Sequence, residues 1–384
     1  MRVLNIAVAG CGPAGLASAL LLSRDGHRVS VFERFEAPRP VGSGLIIQPT
    51  GLAVLRAMGL DQAIVAAGAR IDRLFGKAVP SNRTVLDVRY AALDRTSFGV
   101  GIHRAALFDI LFQAVRAADI PVFTSRAVTD APLRDGGQRD IVFADGERAG
   151  PFDLVVDALG GASSLAACDG RTLAYGALFA SLEWPAGADF SVDALEQRYV
   201  RASTMAGVMP IGLAPGVSTP RAAFFWSLRA DRLERWRDAG LDAWKCEVLR
   251  LWPATRPLLD QITRLEQLTF AKYAHRTVRA PAKPGLLHLG DAWHSTSPQL
   301  GQGANMALLD AFALAKALRE ETDPSHAPHD AAALRVRHVH LYQGMSRLFT
   351  PVYQSDSRVL PGCVTGSRVR CRKCGQPTGF LPLW

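Results

Sequence analysis

Val3-Leu4-Asn5-Ile6-Ala7-Val8-Ala9-Gly10-Cys11-Gly12-Pro13-Ala14-Gly15 is the stretch that decides the fold. A short apolar run rich in β-branched residues enters three glycines. A helical period follows, with Ala14, Ala17, Ser18, Leu21 and Leu22 on one face and a stop near Gly26. Arg28-Val29-Ser30-Val31-Phe32 then reads as a second strand ending on Glu33. Each glycine removes a Cβ where one would obstruct: Gly10 in the tight turn, Gly12 where backbone nears a pyrophosphate, Gly15 where helix packs on strand. The helix start at Pro13-Ala14-Gly15 offers unpaired amides and a partial positive charge, so two phosphates can be held without a lysine. Glu33 stands about where a carboxylate accepts hydrogen bonds from the ribose of an adenosine. Strand, glycine turn, helix, strand and acid in this order predict dinucleotide binding. The motif alone does not separate NAD from FAD.

A chain of 384 residues with 48% hydrophobic content can bury one or two sizeable cores, and two domains are expected. The net charge of +9 arises from 44 basic against 35 acidic residues that are dispersed and interleaved, which argues against nucleic-acid binding and for a surface attractive to anionic small molecules. Residues 6–22 resemble a secretory apolar core, but glycine and proline interrupt them where phosphate binding needs them. No other stretch approaches the length that spans a bilayer, so no stable membrane insertion and a cytoplasmic location are expected. Six cysteines are too sparse for a disulfide framework, which fits a reducing compartment.

Further along, residues 37–44 are broken by proline and glycine and read as an extended loop, followed by a helix from Thr50 to Met58. After His103-Arg104 an amphipathic helix carries Leu107, Ile110, Leu111, Ala114, Val115 and Ala118 on one face. Ile120–Thr124, Ile141–Ala144 and Phe152–Ala158 read as strands. Between Arg171 and Ala271 the texture changes to longer strand-like runs, Leu173–Trp184, Gln197–Ile211 and Arg221–Leu228, with a helical stretch from Asp231 to Leu259. This is a second domain, a sheet with helices on one side. The first texture then returns: Gly285-Leu286-Leu287-His288-Leu289 is a buried strand, Gly290-Asp291 follows, and a second glycine-led helix starts in Pro298-Gln299-Leu300-Gly301-Gln302-Gly303-Ala304-Asn305.

A strand ending in Gly-Asp before a glycine-rich helix start offers an aspartate and a row of amides, a set that holds a phosphate, a ribityl chain and an electron-rich ring edge. At these residues the sequence resembles the FAD-dependent aromatic hydroxylases, the p-hydroxybenzoate hydroxylase-like flavoprotein monooxygenases. The first glycine motif, Glu33-Arg34, Val41-Gly42-Ser43-Gly44, His103-Arg104 and Gly290-Asp291 through Asn305 match that family in order. The resemblance implies an α/β fold with a Rossmann-like FAD-binding domain and a second, sheet-plus-helices substrate domain. It divides the chain into residues 1–70, 100–168 and 278–320 for FAD, 71–99 and 169–277 for substrate, 321–360 as C-terminal helices and 361–384 as a poorly ordered tail. It further implies that Gly10, Gly12, Pro13, Ala14 and Gly15 meet the pyrophosphate and Glu33 with Arg34 the adenosine side. Arg104 would reach the adenosine or pyrophosphate, Asp291 the ribityl chain, and Gly301, Gly303, Ala304 and Asn305 the isoalloxazine edge through backbone. The bland alternatives are a solvent-exposed helix-start arginine for Arg104 and a turn aspartate for Asp291. His294 is expected to be structural, Gln48 either faces the ring or is a polar loop residue, and no catalytic residue is assigned.

The expected activity is NAD(P)H-dependent hydroxylation of an aromatic or heteroaromatic small molecule by FAD and O2 through a flavin hydroperoxide, with NADPH or NADH as reductant, in a monomer or homodimer. Phe179, Met205, Met209, Phe224 and Trp226 are candidates for the apolar pocket wall or for plain core. One departure matters. Where the family has Asp-Gly after the Phe152–Ala158 strand, this chain reads Asp157-Ala158-Leu159-Gly160, and Asp157 lies about 7 Å deeper along the strand. That leaves room for weaker reduction by NAD(P)H or for a degenerate FAD-binding homologue; a flavin reductase or dehydrogenase acting on a lipid or alkene would share both glycine-led cradles. A second departure is the basic tail, whose Cys371-Arg372-Lys373-Cys374 has metal-pair spacing but lacks a fourth ligand near Cys363, so no metal is expected.

Overall fold

Asn5–Ala9 forms the centre of a six-stranded sheet, and everything that builds the site hangs from the carboxyl ends of this strand and its neighbours. The computed structural model describes residues 2–37, 43–166, 170–187 and 189–356. In the sheet the order is Ala282–Lys283, Leu286–His288, Leu154–Asp157, Asn5–Ala9, Arg28–Phe32, Val122–Phe123, parallel except at the Ala282–Lys283 edge. Such parallel order requires long crossovers: the Pro13–Arg24 helix makes the first, and longer excursions make the rest.

The Pro13–Arg24 helix was expected to bury one face. It buries nearly all of its first three turns, Ala14 through Leu22, because the sheet lies on one side and the Gly303–Glu320 helix on the other. Small residues make that possible: Ala14, Ala17 and Ser18 let the two helices approach, and Ser18 Oγ donates to the Ala14 carbonyl at 2.8 Å, so the one hydroxyl in the seam is paired. Of the stripe expected on the Arg104–Ala117 helix, Leu107, Leu111 and Val115 are buried and Ile110 and Ala114 part-buried, while Ala118 lies exposed just past the helix end.

A seven-stranded sheet runs Thr269–His275, Arg171–Glu183, Arg221–Arg229, Thr204–Pro210, Ala194–Val200, Arg73–Ala78, Thr84–Arg89. The run read as one strand from Gln197 to Ile211 is a hairpin, its reversal at Arg201 with φ +54°. The helical stretch after Asp231 is interrupted at Gly240, whose φ of +81° is non-helical, and again at Trp252. One face of this sheet packs on the Leu233–Leu251 helix through Phe224, Trp226 and Trp244. The other face meets Gly44–Ile47 through Ile46, Met209, Ile211 and Ala223. The long C-terminal helix, Ala327–Tyr353, packs against Gly303–Glu320. No helix among the described residues is long and apolar enough to cross a membrane, and no group of three His, Cys, Asp or Glu there is arranged to hold a metal. The Cys363, Cys371 and Cys374 cluster and the tail expected beyond 361 lie outside the described residues.

Candidate functional site

The three glycines of the first turn are glycine for three different reasons. Gly10 has φ +105°, and a Cβ on it would lie 2.5 Å from the Ala158 carbonyl oxygen. A Cβ on Gly15 would lie 2.0 Å from the Gly10 oxygen, so helix and strand touch there. At Gly12, the extended residue that opens the Pro13–Arg24 helix, a Cβ would meet no protein atom within 4 Å and no side chain caps the amides behind it. That is an open concavity in front of uncapped N–H groups, of the kind an anion fills. Glu33, buried at the end of the second strand, reaches back to accept from Cys11 N at 2.9 Å and Phe35 N at 3.1 Å, which fixes its carboxylate beside the turn. Burial and the neighbouring Glu33 charge push the Cys11 thiol up to about 12, so it is inert packing. Arg34 is exposed, its guanidinium 4.6 Å above the Phe35 ring.

The second turn meets the first. Gly290 has φ +55°, and a Cβ there would lie 3.1 Å from Ala307 Cβ and 3.4 Å from Ala14 Cβ, wedged between the two glycine-led helices. Its amide donates to Asp310 Oδ2 at 3.0 Å, and the same oxygen is 2.6 Å from His294 Nε2, while Arg335 Nε donates to Oδ1 at 2.8 Å. Burial alone would pull the His294 ring down, but the Asp310 and Asp291 carboxylates more than reverse it and raise its pKa. Burial likewise opposes the Asp310 charge, and His294 and Arg335 overcome it, holding that carboxyl below the usual range. His294 is therefore a buried clamp on the Gly290 turn and faces Asp310, as expected for a structural histidine.

Asp291 and Arg104 both keep accessible side-chain surface, yet protein crowds them enough that burial raises the Asp291 carboxyl and lowers the Arg104 guanidinium. The Asp291 carboxylate counters that lowering at Arg104. Gly301 is left-handed at φ +62°, and a Cβ on Gly303, first residue of the Gly303–Glu320 helix, would again meet nothing within 4 Å. Asn305 accepts from Gln48 N at 2.8 Å and donates to the carbonyls of Ile46 and Gly301 at 3.1 and 3.2 Å. Its side chain is thus engaged within the protein.

Leu159 does not continue the strand, which ends at Asp157; its backbone is helical and its side chain packs against the cluster containing Phe32, Ile141 and Phe143. Asp157 turns inward, where it is 2.6 Å from His288 Nδ1 and accepts from Ser163 Oγ at 2.6 Å and Leu159 N at 3.1 Å. The carboxylate that the sequence retains therefore ties together the two strand ends flanking the recess.

The structure thus sets the Gly290 turn against Ala14 and Ala307, between the two glycine-led helices, ties the Asn305 side chain to the Gln48 backbone, fixes Glu33 beside the first turn and stacks Arg34 on Phe35. Of the pocket-wall candidates, Phe224 and Trp226 belong to the core under the Leu233–Leu251 helix, while Phe179, Met205 and Met209 lie on the opposite face. Alternation puts Phe225 with them, its ring 6.0 Å from Phe179. Phe225, Asp310, Arg335 and Tyr90 escaped the sequence reading. Only Phe225 had a usable signal, the period of two; the others depend on contacts across the chain.

Residues 3–328 match the family model described as FAD binding domain. Among curated proteins, 3-amino-4-hydroxybenzoate 2-monooxygenase of Streptomyces cremeus is 27% identical, with 100% of this chain and 95% of that protein covered. Aurachin C monooxygenase/isomerase of Stigmatella aurantiaca is 29% identical over 87% of this chain and 85% of its own length. Among solved structures, Pseudomonas aeruginosa PqsL in complex with 2-aminobenzoylacetate superposes with a TM-score of 0.81 at 19% identity, covering 95% of this chain and all 100% of that one. Klebsiella pneumoniae HpxO complexed with FAD and uric acid gives a TM-score of 0.79 at 21% identity, covering 94% and 91%.

Proposed function

The chain belongs to the FAD binding domain family and has FAD as its cofactor, and from that premise we propose that it is an NAD(P)H-dependent monooxygenase that hydroxylates an aromatic or heteroaromatic small molecule. One observation carries the reading: Gly290 is wedged against Ala14 and Ala307, so the two glycine-led helices pack side by side, as a single flavin spanning both starts would need. The residues fit FAD, because Gly12 and Gly303 leave uncapped amides facing open space and Glu33 stands beside the first of them.

Bound FAD would supply the electron transfer and oxygen activation. The chain's part is to bind, orient and keep water out. Glu33 would accept from the ribose, the amides after Gly12 would hold the pyrophosphate, Arg104 would neutralise it, Asp291 would accept from the ribityl hydroxyls, and the backbone at Gly303–Asn305 would meet the ring edge. The sheet face carrying Phe179, Met205, Met209 and Phe225 would form the dry wall against which the substrate ring is held. Domain limits at about residues 70, 100, 168 and 278 belong to the same proposal.

The test is oxygen-dependent NADH and NADPH oxidation by the purified protein across a panel of phenols and heteroaromatics, with product analysed for incorporated oxygen. Substrate-stimulated incorporation supports the proposal; reductant oxidation with no oxygenated product from any aromatic contradicts it. Leu159 favours a second reading, an FAD protein reduced only slowly, which the same assay would reveal as yellow enzyme with negligible turnover.

A further inference from the structure

Gln48 is the one polar side chain of the recess that the family-level reading leaves undecided. It is 1% exposed, and it ends the Gly44–Ile47 strand and opens the Pro49–Ala57 helix, between the two cradles. Its backbone amide is held by Asn305 Oδ1 at 2.8 Å, and Asn305 is itself held by the carbonyls of Ile46 and Gly301. The residue therefore has a fixed place relative to the start of the Gly303–Glu320 helix.

A buried primary amide has two ends that want different partners: the oxygen accepts and the nitrogen donates twice. The Tyr90 hydroxyl donates to Gln48 Oε1. Tyr90 is fully buried, and its ring end is packed so tightly that a Cβ on Gly99 would lie 2.9 Å from its hydroxyl oxygen. With the oxygen held there, the nitrogen points the other way, and Nε2 lies 3.6 Å from where a Cβ on Gly301 would be. Among the described residues Gln48 Nε2 donates to no acceptor. The nitrogen is not among the polar atoms sealed off inside the protein, so its donors face accessible space and are free to take an acceptor from outside the chain. The donors sit beside uncapped helix amides at a glycine whose missing side chain leaves room.

We propose that Gln48 donates its side-chain N–H to an acceptor atom at the ring-bearing end of the bound FAD, and that Tyr90 is the positioning residue that decides which way the amide faces. This rests on the FAD reading above. The donor would join the backbone amides of Gly303–Asn305 in stabilising electron density on the ring edge, so its removal should change both how tightly the flavin binds and what it absorbs.

The experiment titrates apo-protein with FAD, following flavin fluorescence for the dissociation constant and the visible spectrum of the bound flavin, for wild type, Gln48→Leu, Gln48→Glu and Tyr90→Phe. Near-ultraviolet circular dichroism confirms that each variant is folded. Expected are a rise in dissociation constant of about tenfold and a displaced visible band for Gln48→Leu. A larger rise is expected for Gln48→Glu, which replaces a donor by a charge facing an electron-rich edge, and the same spectral displacement is expected for Tyr90→Phe. If wild type binds FAD and folded Gln48→Leu and Gln48→Glu match it in affinity and spectrum, the inference is overturned while the FAD reading stands. If Tyr90→Phe alone matches wild type, the positioning role of Tyr90 is overturned. A wild type that takes up no FAD overturns the FAD reading and this inference with it.

Discussion

His288 Nδ1 and Asp157 Oδ2 lie 2.6 Å apart with both side chains 0% exposed, on adjacent parallel strands where the two residues are direct register partners. The pair joins the strand end before Ala158 to the strand end before Gly290, and so sits under both turns of the recess. Asp157 is otherwise satisfied by Ser163 and Leu159, whereas His288 Nε2 has no partner among the described residues.

Breaking this pair from one side leaves the survivor buried without its partner. Asp157→Ala or His288→Leu alone is expected to destabilise the protein by about 1–3 kcal/mol, and the double variant by less than the sum of the two. Urea denaturation of the three proteins measures it. Strict additivity would mean that the two side chains do not depend on one another.

The first-turn glycines should separate fold from ligand. Gly15→Ala forces a Cβ to within 2.0 Å of the Gly10 oxygen and is expected to destabilise the fold by about 1–3 kcal/mol or more. Gly12→Val meets no protein atom within 4 Å on its first carbon, so its melting temperature should stay near wild type while FAD affinity falls by more than about tenfold. Thermal melts and fluorescence titration read the two quantities separately. A Gly12→Val protein that binds FAD normally would show that the concavity is not the phosphate site.

Stability of the apo-protein should depend on pH through His294. Its folded pKa is raised, so its contribution is fully present below the ordinary histidine value of 6.5 and is lost as pH rises through the raised value. Asp310, lowered by the same contacts, contributes above 3.8 and loses its contribution as pH falls through its lowered value. The charges of Asp291, Arg335 and His338 face the pair from the neighbouring elements. The denaturation midpoint is expected to decline as pH rises from 6.5 through the raised His294 value, and His294→Gln to flatten that decline. An identical pH profile in the variant would contradict the assignment.

Leu159 occupies the position where the resembling family carries an aspartate, and its side chain is packed into an apolar cluster. Reduction of the bound flavin by NAD(P)H is expected to be slow, and Leu159→Asp to accelerate it by on the order of tenfold. Stopped-flow bleaching of the flavin band gives both rates; reduction unchanged or slowed in Leu159→Asp would remove Leu159 as the cause.

Much of the framework could be read from the chain because local signals and tertiary demands agree there. Gly15 is dictated by the Gly10 oxygen within the same turn, Gly10 by its left-handed backbone, and the Arg28–Phe32 strand and Arg104–Ala117 helix announce themselves by period. What escaped depends on distance in sequence. Nothing near Gln48 points to Asn305 or Tyr90, and nothing near Gly290 points to Asp310 and Arg335; those partners become visible only when the helices pack. The pocket wall was half legible: alternation separates Phe225 from Phe224 and Trp226, but which face looks toward the recess is decided by the Leu233–Leu251 helix covering the other.

The most direct test of the central claim, that two glycine-led helix starts hold a single flavin, is the FAD stoichiometry of wild type, Gly12→Val and Asp291→Ala, each shown to be folded. The expected result is one FAD per chain in wild type and loss of that same FAD in both variants. A folded wild type that stays colourless with excess FAD, or an Asp291→Ala protein that retains a full complement of flavin and full turnover, would contradict it.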